Sequence, residues 1–179
     1  MVEIIFESHG TTVDNEKRLS SGVFDVELSD LGEKQAKEQG ERCAKENIDA
    51  ISCSTLQRSY KSAKIAFAGR NIPIIKDARL NECDYGELTR APYAKVKKVN
   101  TEYISKPFPG GESYEQTADQ MKSFLRDLLK NYNGKKVMII GHRATQYGLE
   151  HCINRIPLRE GVTAPWQWQP GWTYQLKTL

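Results

Sequence analysis

Histidine is scarce in this sequence: three stand among 179 residues. That excludes a histidine-rich metal site, and any histidine chemistry must use nearly all of them. Cysteine is scarce too. Cys43, Cys53, Cys83 and Cys152 show no CxxC spacing. Without a secretory signal, such a set reads as reduced, mostly buried thiols of a cytoplasmic protein. A zinc site or a disulfide framework is not expected. Long apolar runs are missing. The most apolar stretches, residues 2–6 and 137–140, are four or five residues long, against the about 20 that a transmembrane helix needs. No membrane partner is expected. The N-terminus, Met-Val-Glu-Ile-Ile-Phe, has no basic n-region or long apolar h-region and reads as a strand rather than a signal peptide. A large excess of one charge is also missing, with 26 basic against 23 acidic residues and a net +3. That balance argues against a nucleic-acid partner, which needs a basic face. The densest basic stretch, Lys95, Lys97 and Lys98, reads as a solvated face.

What is present is alternation. The length predicts a single domain, 1–179. Residues 2–6 read as a buried strand, and 14–25 as a polar loop. Ser29 can N-cap a helix running to about residue 46, with Asp30 and Glu33 near its positive end. Gly32, Ala36, Gly40 and Cys43 form a small-residue stripe on that helix, suited to close packing on a sheet. A second strand over 50–54 and a second helix over 55–68 follow. A third strand lies at 72–75, where Pro73 suggests an edge. The segment 77–112 is weakly periodic and punctuated by Pro92, Pro107, Pro109, Gly110 and Gly111. It reads as an insertion with one short helix near 93–99, and about 88–111 of it as a lid. Ser113-x-x-Gln116 is a capping-box pattern. It opens a helix with Tyr114, Met121, Phe124, Leu125 and Leu128 on one stripe, ended by Asn133-Gly134. A fourth strand over 137–140 and a helix from about 144 to 153 complete the alternation. Trp166, Trp168 and Trp172 around Pro170-Gly171 suggest a terminal hairpin, or a surface for a homodimer. The pattern as a whole predicts an α/β three-layer sandwich, with a mostly parallel central sheet and helices on both faces.

Active sites on such sheets lie at the carboxyl ends of strands. His9 follows the first strand and His142 the fourth, so two of three histidines fall there. Gly10 lets backbone come close to a ligand. His142 opens a helix, whose free N–H groups favour anions. His151, in mid-helix, has no such setting and reads as structural.

Six blocks in order then resemble one family. They are Ser8-His9-Gly10-Thr11-Thr12 with Asn15, Leu28-Ser29-Asp30-Leu31-Gly32-Glu33-Lys34-Gln35-Ala36, and Ser54-Thr55-Leu56-Gln57-Arg58-Ser59-Tyr60-Lys61-Ser62-Ala63. Next come Arg79-Leu80-Asn81-Glu82-Cys83-Asp84-Tyr85-Gly86, then Pro109-Gly110-Gly111-Glu112-Ser113, and Val137-Met138-Ile139-Ile140-Gly141-His142. The chain resembles the histidine phosphatase (phosphoglycerate mutase-like) superfamily over nearly its whole length. The resemblance implies catalysis by His9, Arg58, Glu82 and His142. His9 would take the phosphoryl group, with the Gly10 carbonyl a natural partner for its Nδ1–H. Arg58 would bind phosphate, and His142 would stabilise the transferring group. Glu82 would donate the leaving-group proton and later activate water, with Asp84 near enough to assist. Asn15, Ser21, Gly22 and Tyr85 fall on substrate-contact positions beside Ser8, Gly10 and Arg143. No metal or other cofactor is implied, and the partner is a small phosphorylated substrate.

One departure stands beside the nucleophile: Ser8 replaces the arginine usual in the family. Where glycine usually follows the second histidine, this chain has Arg143, which could restore the missing charge from the other loop. The implied activity is phosphomonoester hydrolysis through a phosphohistidine on His9. A phosphomutase is the alternative, and Arg90, Lys95, Lys97 and Lys98 of the insertion could then contact a charged substrate. A catalytically damped phosphate-ligand binding protein is a second alternative, resting on Ser8.

Overall fold

A computed structural model describes every residue except Trp166. Five strands form one sheet: β1 (Val2–Ser8), β2 (Ala50–Cys53), β3 (Ile74–Lys76), β4 (Lys136–Gly141) and β5 (Trp172–Leu176), in the order β3-β2-β4-β1-β5. β1, β2, β3 and β4 run parallel, and β5 is antiparallel to β1. The α/β sandwich is therefore present, and Pro73 does flank an edge strand. Strand alternation divides the core between the two faces. Ile4, Phe6, Val137 and Ile139 pack on α5 (Tyr114–Asn131) and α6 (Arg143–Asn154) through Met121, Leu125 and Leu149. Ile5, Ile51, Met138 and Ile140 pack on the other side with Cys43, Ala63 and Ala66, which belong to α2 (Asp30–Arg42), its C-cap and α3 (Gln57–Ala66).

The helix caps follow the sequence. Ser29 Oγ accepts from Gly32 N at 3.3 Å, and Ser113 with Gln116 forms a complete capping box. Such a cap contributes about 1 kcal/mol. α2 stops earlier than the predicted residue 46. The guanidinium of Arg70 donates to the carbonyls of Cys43 and Glu46 at 2.9 and 2.7 Å, which satisfies chain leaving the helix.

In the small-residue stripe of α2, Cys43 packs on the sheet, while the two glycines admit neighbouring backbone. A Cβ on Gly32 would lie 1.9 Å from the Thr11 carbonyl oxygen, and one on Gly10 would lie 2.3 Å from that of Gly32. The start of α2 is thus pressed against the loop that carries His9. Gly40 meets the end of α3 in the same way, 2.2 Å from the Ala66 oxygen.

Three further differences concern local elements. The polar loop contains α1 (Val13–Glu16), closed by a capping box between Thr12 and Asn15. A short α7 (Leu158–Thr163) follows α6. The terminal hairpin is not formed among the described residues, because β5 takes the free edge of β1 instead, with Trp172 against Phe6 at 5.5 Å between ring centroids. Trp166, one of the three tail tryptophans, lies outside the described residues. The insertion holds α4 (Tyr93–Val99), as expected. Around it Tyr85, Val96, Phe108, Tyr114, Tyr147, Leu158 and Val162 make a third, aromatic core. All four cysteines are buried and unpaired. No helix among the described residues is long and apolar enough to cross a membrane.

Candidate active site

The adjacency of β1 and β4 brings His9 and His142 together. Ser8 pairs with Gly141, and His9 N donates to the Gly141 carbonyl at 3.2 Å. The two imidazoles stand 4.9 Å apart between centroids. They share a cavity of about 590 Å³ with Arg58, Glu82, Ser8, Gly10, Asn15, Ser21, Gly22, Tyr85 and Arg143. These eleven positions, expected from sequence, therefore line one cavity.

His9 Nδ1 lies 2.7 Å from the Gly10 carbonyl oxygen. A carbonyl can only accept, so Nδ1 carries the hydrogen and Nε2 keeps a lone pair. The loop is held firmly. Gly10 N donates to Ser62 Oγ at 3.0 Å, and Ser62 Oγ donates to the Arg58 carbonyl at 2.7 Å. Thr11 N donates to Gln35 Oε1 at 2.8 Å. Arg58, 2 % exposed, donates to the Gly22 and Phe24 carbonyls at 2.6 and 2.9 Å. Gly22 presents its carbonyl from a left-handed backbone with φ +53°, which glycine adopts without strain. A guanidinium has five N–H donors, so these two bonds leave others for an anion.

His142 Nε2 lies 2.7 Å from Ser54 Oγ, and its Nδ1 is buried without a hydrogen-bond partner among the described residues. Glu82 Oε1 accepts from the N–H groups of Cys83 and Ala144 at 2.9 and 3.1 Å, which ties the acid loop to the start of α6. Asp84 instead caps its own turn, accepting from Gly86 N at 2.9 Å, and does not line the cavity. Asn15 Oδ1 is engaged with Thr12 N at 3.0 Å, and Ser21 Oγ donates to Asp14 at 3.2 Å. Arg143 donates to Tyr93 Oη at 2.7 Å. Arg90 is bound twice by the buried Asp14, at 3.0 Å each. Of Arg90, Lys95, Lys97 and Lys98, Lys97 alone lines the cavity. His151, away from the site, reaches the Ile156 carbonyl at 3.0 Å.

The buried serines were not singled out by sequence reasoning. Ser54, Ser59 and Ser62 are fully buried polar residues that fix His142, β4 and the His9 loop. The available signal was three hydroxyls at short spacing around Arg58.

Burial, followed by the positive charge of Arg58, pushes the His9 imidazole down to about 3 against the Gly10 bond that favours its charged form. The same two causes, then the neighbouring His9, hold His142 well below the usual histidine range. Both rings are therefore neutral near neutral pH, the state in which an imidazole nitrogen is nucleophilic. An unfolded chain takes up protons on these histidines below about pH 6.5, while in the folded chain His9 resists until about pH 3 and His142 is likewise held neutral well below the unfolded value. Their contribution to stability is complete above the unfolded value and falls as pH drops. The slope is at most about 1.4 kcal/mol per pH unit for each ring. Denaturant unfolding at stepped pH should show this decline, with a shallower one in His9→Asn. An identical slope in the variant contradicts it.

The match to the family model for the histidine phosphatase superfamily (branch 1) spans residues 4–167. "Phosphoserine phosphatase 1" of Hydrogenobacter thermophilus is 29 % identical over 150 residues, covering 79 % of this chain and 71 % of that one. A 2,3-bisphosphoglycerate-dependent phosphoglycerate mutase of Cytophaga hutchinsonii is 30 % identical over 152 residues, with 78 % and 71 % covered. Among solved structures, Bacillus stearothermophilus YhfR superposes with a TM-score of 0.83 at 22 % identity, covering 95 % of this chain and 88 % of that one. With paired strand-end histidines sharing a cavity with a buried arginine, and a family match over nearly its whole length, the chain belongs to the histidine phosphatase superfamily, branch 1.

Proposed function

We propose that this chain is a metal-independent phosphomonoesterase that works through a phosphohistidine on His9. The supporting observation is the Nδ1–H bond of His9 to the Gly10 carbonyl. It points the basic Nε2 electron pair away from the backbone, in a cavity that also holds Arg58 and His142. Nε2 attacks phosphorus, the bond to the leaving oxygen breaks, and water later attacks the phosphohistidine to release phosphate. Arg58 supplies N–H donors and charge to the phosphoryl oxygens. His142 adds a donor when Ser54 donates to its Nε2 and its Nδ1 carries the hydrogen. Glu82 gives a proton to the leaving oxygen and takes one from water. Because Oε1 already accepts two N–H bonds, the transferable proton belongs on Oε2. Gly10, Asn15, Ser21, Gly22 and Tyr85 complete the phosphate end of the cavity, with Ser8 beside it.

Relatives carry both phosphatase and mutase names. Hydrolysis is favoured here by a short lid whose longest helix, α4, has seven residues, because excluding water from the intermediate needs more cover. The test is hydrolysis of an aryl phosphate with EDTA present, combined with rapid quenching. Turnover and an acid-labile, alkali-stable phosphate on the protein are expected. Turnover that EDTA abolishes, or a phosphoprotein stable to acid, contradicts the reading.

A further inference from the structure

A neutral imidazole has a single N–H, on one nitrogen or the other. Burial and the charge of Arg58 keep His142 neutral, so its surroundings choose which nitrogen carries the hydrogen. The neighbour that chooses is Ser54. It follows β2, and because Cys53 pairs with Ile140 it comes level with Gly141 of β4. Ser54 and His142 are buried, at 0 and 1 % exposure. Ser54 Oγ accepts from Leu56 N at 3.3 Å and lies 2.7 Å from His142 Nε2. Among the described residues, its own hydrogen meets no acceptor other than that Nε2.

Two arrangements are open, and they differ in what stays unpaired. If Nε2 carries the ring hydrogen, it donates to Oγ. The hydroxyl hydrogen of Ser54 and the Nδ1 electron pair are then both buried without partners. If Nδ1 carries the ring hydrogen, Ser54 donates to Nε2, and the Nδ1–H alone is left over. Each buried polar group without a partner is costly, so the second arrangement wins. The hydrogen left over also has a use, because the ring lines the cavity with His9 and Arg58.

Ser59 holds this contact in place. Its Oγ accepts from Ser54 N at 3.1 Å and donates to the Ile140 carbonyl at 2.6 Å. One fully buried side chain of α3 thus ties the end of β2 to β4, two residues before His142.

We propose that Ser54 is a positioning residue for the second histidine: by donating to Nε2 it places the ring hydrogen on Nδ1, where it meets the oxygens of the transferring phosphoryl group. This rests on the phosphatase reading above and adds the group that readies His142 for it. With serine rather than a cation at position 8, Arg58 and this N–H carry more of the charge that develops on those oxygens.

The scarcity of histidine makes the test direct. In protein carrying isotope-labelled histidine, proton–nitrogen correlation NMR identifies the tautomer of each neutral ring. Wild type should show the Nδ1–H form at His142, as at His9. In Ser54→Ala the Nε2–H form should appear at His142, while an unchanged His9 signal shows that the pocket is folded. For an aryl phosphate, kcat should fall about 10- to 100-fold, less than the about 100- to 1,000-fold cost of an oxyanion donor removed outright. KM should change little, since the contact serves the transition state. Ser54→Thr keeps the hydroxyl and should restore both the tautomer and most of the rate. If the alanine variant does not fold, Ser54→Cys replaces it, since a thiol is a weak donor. An Nε2–H ring at His142 in wild type overturns the proposal. So does a tautomer unchanged in Ser54→Ala, or a changed tautomer with kcat unaffected. If no ester is hydrolysed, affinity for inorganic vanadate replaces the rate. Binding at least about tenfold weaker in Ser54→Ala keeps this role while the phosphatase reading fails, and unchanged binding overturns it.

Discussion

Replacing His9 with alanine is expected to lower turnover of any phosphomonoester by at least about four orders of magnitude, as removing a catalytic nucleophile does elsewhere. The acid-labile phosphate on the protein should disappear with it. The other imidazoles offer no substitute. His142 has its Nε2 against Ser54 at 2.7 Å, and His151 faces the Ile156 carbonyl outside the cavity. The variant should still fold, since the ring's one recorded hydrogen bond goes to the adjacent Gly10 carbonyl. A thermal melt close to wild type, with activity lost, is therefore the expected pair of results. Activity retained above about one per cent of wild type would mean that phosphorus is attacked by something other than His9.

Arg58 carries the second large effect. Arg58→Met should lower kcat/KM by about 10³- to 10⁵-fold, the worth of an arginine that meets transferring phosphoryl charge. With Ser8 beside the nucleophile, this chain has no cationic side chain at position 8 to share that burden. Arg58→Lys should recover only part of the loss. An ammonium is a point charge and cannot reproduce the planar fork that holds the Gly22 and Phe24 carbonyls while facing an anion. The methionine variant should also be less stable, by about 1–3 kcal/mol for each carbonyl left buried without a donor. Guanidinium added in solution separates the two effects, because it can restore turnover without restoring the melting temperature. A lysine variant within threefold of wild type in kcat/KM would remove the special role of Arg58.

Much of this site is legible in the linear chain. His9 and His142 each follow a short apolar strand, and their place at the carboxyl ends of parallel strands follows from strand-helix alternation. The Nδ1 partner of His9 is legible because Gly10 is its neighbour. Other contacts are not legible, because they join residues far apart in sequence. Ser54 meets His142 across β2 and β4, and Arg90 finds Asp14 rather than a substrate. Among the described residues the hairpin expected at the tail is not formed, for a similar reason. A strand next to a turn can pair locally, but the exposed edge of β1 offered a full partner with buried Phe6 behind it. The purpose of Gly32 was also hidden, since a stripe of small residues does not say which backbone will press against it.

The sequence by itself determined the α/β class, the two histidines at strand ends, the caps at Ser29 and Ser113, and the absence of an arginine at position 8. These are local or periodic properties, set by residue type and spacing along one segment. Only the tertiary structure decided where the remaining charge goes. It brought Arg58 into one cavity with both histidines, neutralised Arg90 with Asp14, and set Arg143 against Tyr93 of the insertion. Such pairings depend on which elements pack together and on what each side chain must give up when it is buried, and neither is encoded within a single segment.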